Sequence, residues 1–198
     1  MFPWKMLLRQ ISSKGKPRLV AGWRWVGLSV VVALVLAGCT ASGSLVAGVD
    51  PASVVAVEFW DFSGDQDVAA GVFVCSRGSE VRVVSVEPVD VTGEVQALGA
   101  VQITGPAQGE GFLGSAYGFP PDGFPYDSLG SSPVAECGGT SATQVVVGVR
   151  RLAATGGGIT GLVIRYSSGS VEKELHVPNI EINLCGDQGE NCKGPASS

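Results

Sequence analysis

Histidine is nearly absent from this 198-residue chain. The single one, His176, is the sole imidazole available to a serine or cysteine nucleophile that needs a base, and one imidazole excludes metal sites built from several. Methionine occurs only at positions 1 and 6, so the rest of the chain offers no thioether sulfur for copper traffic. Basic residues are scarce beyond residue 38. Arg77, Arg82, Arg150, Arg151, Arg165, Lys173 and Lys193 face all eighteen acidic residues there, seven against eighteen, a formal charge of −11. Such a surface has no electrostatic footprint for nucleic acid and is repelled by anionic lipid. The first 38 residues lack the opposite sign: Lys5, Arg9, Lys14, Lys16, Arg18 and Arg24 stand there with no acidic residue. That bias marks an end retained in the cytoplasm. A long apolar run is missing too. The uncharged stretch 26–38 would reach only about 20 Å as a helix, against a hydrocarbon core of about 30 Å. A basic region, a short apolar core and small residues after it describe an export signal rather than a membrane span.

The end of that core, Leu36-Ala37-Gly38-Cys39, resembles the lipobox of bacterial lipoproteins. The resemblance implies a signal peptide over 1–38, cleavage before Cys39, and lipid on its sulfur. It also implies a membrane partner reached through that lipid and a place on the extracytoplasmic face of the cell membrane. A diacyl thioether with a further acyl chain supplies the two signals that stable attachment needs. Thr40 is not the aspartate that would signal inner-membrane retention, and Met6 offers a second start position. Glycine, alanine and valine are abundant, with only Lys173 and Lys193 as lysines beyond the signal. In this the chain resembles the β-sandwich lipoproteins of high-GC hosts such as actinobacteria.

Outside the membrane thiols oxidise, and four cysteines remain there: Cys75, Cys137, Cys185 and Cys192. Of three pairings, the one that joins Cys185 to Cys192 closes a short polar segment able to fold back on itself, leaving Cys75 for Cys137. Chain-entropy arithmetic gives the short bridge roughly 2.5 kcal/mol and the long one roughly 4.3 kcal/mol. Zinc is disfavoured, because the spacing has no close cysteine pair and no histidine support. No metal and no cofactor are expected.

Period-two, β-branched segments predict strands over 53–60, 68–76, 80–89, 95–104, 144–151, 160–167, 171–177 and 180–184. Glycine turns are expected at Arg77-Gly78-Ser79, at Ser168-Gly169 and at Gly156-Gly157-Gly158. Seven or eight short strands make an all-β fold, an antiparallel immunoglobulin-like β-sandwich behind an N-terminal signal helix. The expected organisation is a lipidated tether over 39–51, a sandwich domain over 52–185 and a tail over 186–198.

A glycine- and proline-rich loop over 105–143 is too long for a plain connector. Half of the ten aromatic residues beyond the signal fall within it: Phe112, Tyr117, Phe119, Phe124 and Tyr126. That much apolar area opposes disorder. Either the rings pack back as core or some project as a recognition surface, the candidates being Phe119, Phe124 and Tyr126 beside Pro120, Pro121 and Pro125.

Catalytic motifs are weak. Gly156 to Gly161 satisfies G-x-G-x-x-G but leads into a strand, so no helix N-terminus awaits a pyrophosphate. Ser170-Val171-Glu172-Lys173 fits S-x-x-K, yet a strand points serine and lysine to opposite faces. Asp61, Asp65 and Asp67 share a turn without the spacing of a calcium loop, and His176 reads as a solvent-facing strand residue. The expectation is a lipid-anchored, non-catalytic binding or interaction module of the cell envelope, with an envelope protein or glycan as ligand. A ligand-free structural protein is the alternative, and a secreted hydrolase ranks behind both.

Overall fold

A computed structural model describes residues 42–48, 54–60, 66–108, 112–187 and 192. The chain divides between Gly38 and Cys39, and the described residues all belong to the second unit. They contain no helix. The strands are β1 (Ser44–Ala47), β2 (Val55–Phe59), β3 (Asp67–Arg77), β4 (Arg82–Gly93), β5 (Val95–Pro106), β6 (Ser115–Tyr117), β7 (Asp127–Ser128), β8 (Ser141–Arg151), β9 (Gly156–Ser168) and β10 (Val171–Cys185).

Two sheets face each other. Sheet A has the order β1-β3-β8-β5-β7, with β6 added on the β1 side of β3, and sheet B has the order β2-β10-β9-β4. Without the two short loop strands, the order β1-β3-β8-β5 opposite β4-β9-β10 is that of the A-B-E-D and C-F-G sheets of an immunoglobulin domain. Its first strand is divided: β1 lies antiparallel to β3 in one sheet, and β2 parallel to β10 in the other. That parallel pair departs from the all-antiparallel expectation. Both halves cover sheet edges that would otherwise present unpaired backbone.

The main core lies between the sheets. Alternate residues Val68, Ala70, Val72 and Val74 of β3, with Val145, Val147 and Val149 of β8, meet Ile159, Leu162 and Ile164 of β9 and Ile180, Ile182 and Leu184 of β10. These positions explain the β-branched composition: such side chains lose little further freedom on a pleated surface that already restricts them.

Three expectations need correction. The presumed tether contains β1, because Leu45 is buried in the core and Ser44–Ala47 register with Val74–Arg77. The separate strands over 171–177 and 180–184 are one strand, β10, with a register shift between Val177 and Glu181. Gly156-Gly157-Gly158 is not a turn but the buried start of β9, and the reversal falls earlier, over residues 152–155. At Gly157 a Cβ would strike the Thr92 carbonyl and approach Val95 Cγ1 to 3.0 Å. Glycine there lets β4 and β5 close over β9 at the end of the sandwich.

Both disulfides form as expected, Cys75 with Cys137 and Cys185 with Cys192. Near the second, Arg151, 5% exposed, donates from Nη1 to the Cys185 carbonyl at 3.0 Å and to Asp187 Oδ1 at 2.8 Å, tying β8 to the C-terminal segment.

Candidate functional site

The segment joining β5 to β8 is a strap laid over the outer face of sheet A, and the strands enter it from both sides, so the connection proper is 107–140. Its path is set by hydrogen bonds. On the ascending side β6 registers with Val68, Ala69 and Ala70 of β3, and Gly118 N–H donates to the Asp67 carbonyl at 2.7 Å. At the other edge of the sheet β7, running in the same direction as β6, registers with Val101 and Gln102 of β5. The strap then crosses the sandwich opening. Arg82 Nη1 donates to the carbonyls of Gly130 and Ser131, Val134 N–H donates to the Val81 carbonyl, and Cys137 N–H to the Ser76 carbonyl beside the Cys75–Cys137 bridge.

Under the strap lies a second apolar cluster of Ala69, Ile103, Leu113 and Val146, with Phe112, Ala116, Phe119 and Phe124 packed on it. Gln144 of β8 clamps the strap there. Its Oε1 accepts from Leu113 N–H at 2.8 Å while its Nε2 donates to the Leu113 carbonyl, an amide side chain taking the place of a neighbouring strand. A buried amide satisfied in this way escapes the cost of an unpaired polar group.

The three candidate rings occupy different situations. Phe119 is half-buried and rests on Gly148, where any Cβ would collide with the ring. Phe124 is half-buried at a cavity of about 300 Å³ that it lines with Ile103, Pro106, Phe112 and Pro125. Tyr126 is 49% exposed. Tyr117, not singled out from the sequence, is 47% exposed and meets Phe59 edge-on with ring centroids 5.7 Å apart. Phe73, on the outer face of β3 and 43% exposed, makes a similar contact with Phe112 at 5.1 Å. The loop thus divides into covering rings and presented rings, a distinction that composition does not carry.

A second, open cleft of about 490 Å³ lies beside the Cys75–Cys137 bridge, with Glu80, Glu136, Thr104 and Thr140 among its walls. His176 lines neither cavity. It is 65% exposed on β10, its Nε2 3.5 Å from Glu174 Oε2. Lys173, the lysine of the S-x-x-K pattern, donates instead to Ser42 Oγ and the Gly43 carbonyl. Asp67 receives a two-pronged bond from Arg150 at 2.6 and 3.0 Å, whereas Asp61 and Asp65 lie outside the described residues, as do Leu36, Ala37, Gly38 and Cys39. Among the described residues no three His, Cys, Asp or Glu side chains group as metal ligands would.

Among the described residues the outer face of sheet B is uncovered and carries a charged ladder across three strands. Arg165 of β9 donates to Glu174 of β10 at 3.0 Å and to Glu87 of β4 at 2.7 Å. The hydrogen bond to Glu174, then the charge of Glu87, raise the guanidinium above its ordinary pKa.

No protein-family model and no curated protein matches the chain.

Proposed function

We propose that the chain is a lipoprotein of the cell envelope, cut before Cys39 and held by lipid on that cysteine at the extracytoplasmic membrane face, and that its sandwich is a non-catalytic binding module. The observation that carries the binding reading is the strap. Its backbone is tied at both flanks and closed by a disulfide, and it presents Tyr126 to solvent beside the Phe124 cavity. Rings held in place before a partner arrives lose little entropy on contact, and aromatic side chains carry much of the energy of interfaces. An envelope protein or a glycan, whose sugar faces stack on such rings, is the partner class that fits this surface.

Pull-down from envelope extract and from isolated cell-wall glycan, run beside thermal melts, tests the reading. Tyr126→Ala abolishes capture and leaves the melting temperature in place, while Phe119→Ala lowers both. Full capture by Tyr126→Ala and by Phe124→Ala would remove the strap as a binding surface and leave a structural role. Fatty-acid labelling tests the anchor separately, since Cys39→Ser lacks the sulfur that accepts the diacylglyceryl group; equal labelling of this variant and the wild type would remove the anchor.

A further inference from the structure

The first described residues are built into the domain. β1 begins at Ser44, five positions after Cys39. Before it, Gly43 N–H donates to Ser79 Oγ and to Ser168 Oγ, each at 2.7 Å. Lys173 Nζ holds Ser42 Oγ at 2.7 Å and the Gly43 carbonyl at 3.1 Å. The sequence-based expectation of a tether over 39–51 would let the domain roam. The four steps from Cys39 to Gly43 reach at most about 14 Å, even fully extended. They end at one defined place, because Ser79 lies in the turn between β3 and β4 and Ser168 at the turn between β9 and β10. β9 arrives at that end after running 13 residues from the other, about 40 Å away.

We propose that the domain stands upright on the bilayer, with its β3–β4 and β9–β10 turns against the lipid headgroups and its Leu152 end held away from them; the proposal rests on the anchor at Cys39. The occupant of this end is the phospholipid surface itself. Arg77 is exposed at the first turn with Glu80 beside it, and Val171, 48% exposed, opens β10 at the second next to Glu172. This end carries both signs, so it is the short leash, not net charge, that brings Arg77 to the phosphates and Val171 to the interface. Lying on sheet B is opposed by its charge, since away from those turns Glu87, Glu174 and Glu181 of β4 and β10 outnumber Arg165 and are repelled by anionic headgroups. The Leu152 end, with Tyr117 and Gly118 of the strap beside Asp67 and Val68, then faces the envelope, while the 490 Å³ cleft beside Cys137 and the Ile103–Pro106 wall of the Phe124 cavity lie in the membrane-facing half.

The test uses the full chain, lipidated in a bacterial host and reconstituted into phosphatidylcholine–phosphatidylglycerol vesicles that carry a headgroup nitroxide. A fluorophore is placed at Ser170→Cys, Leu152→Cys or Asp122→Cys, one per sample. Fluorescence loss is greatest at Ser170 and least at Leu152, with Asp122 between them; a Gly/Ser insertion between Ala41 and Ser42 reduces the loss at Ser170. Equal loss at all three sites, the greatest loss at Asp122, or an insertion without effect would overturn the orientation alone. Protein that fails to float with the vesicles would overturn the anchor, and the orientation with it.

Discussion

Among the described residues sheet A is covered on both faces and sheet B on one, and the two leave different marks on the chain. β8, at the centre of sheet A, reads Val145-Val146-Val147-Gly148-Val149 without alternation, and every one of these residues is buried. β10 of sheet B alternates: Leu175 and Val177 pack toward the core while Glu172, Glu174 and His176 are exposed. An unbroken apolar strand needs cover on both sides. In sheet A the strap supplies the second cover and becomes part of the fold. In sheet B the outer face needs only charge.

The largest effect that would break this contrast comes from releasing the strap. The double variant Cys75→Ser/Cys137→Ser removes the bridge between β3 and the strap, and its loop of 62-residue separation corresponds to roughly 4 kcal/mol, against roughly 2.5 kcal/mol for Cys185→Ser/Cys192→Ser with a separation of 7. Denaturant melts of the two variants measure the order. A reversed order would mean that the strap is not pinned mainly by its disulfide.

A smaller effect comes from the contact of Phe119 with Gly148. Gly148→Ala drives a methyl group into the ring and lowers stability by about 1–3 kcal/mol. The penalty disappears in a Phe119→Ala background, where the ring is gone, and the double-mutant cycle reads the coupling directly. An equal penalty in both backgrounds would show that the strap does not press on sheet A.

The smallest effect belongs to sheet B. Glu87, Arg165 and Glu174 are each about half exposed, so Glu87→Gln and Glu174→Gln together leave the melting temperature almost unchanged at physiological salt. A large fall in the melting temperature would mean that this ladder contributes to the fold as the strap does.

The strands were legible because their cause is local. Alternation and β-branching over 68–76, 95–104 and 144–151 reappear, with slightly extended ends, as β3, β5 and β8. β1 was not legible: only four residues pair, and the glycines and serine around them read as linker. The glycine triplet misled for a related reason. Glycine serves turns and close backbone approaches equally, and only the positions of Thr92 and Val95 decide between them. Of the candidate site, the aromatic cluster was visible as composition. Gln144 and Gly148 were not, although a polar residue and a glycine at either end of a valine run were the available signal.

By itself the sequence determined an all-β chain and the two disulfides, because period and cysteine spacing act over a few residues or through simple chain statistics. Which rings cover sheet A and which meet solvent, that the first strand divides between both sheets, and that Gly43 is held at the β3–β4 and β9–β10 turns were decided only by the tertiary structure. Each depends on residues that the chain brings together from far apart, as Gly43 meets Ser168 and Leu113 meets Gln144.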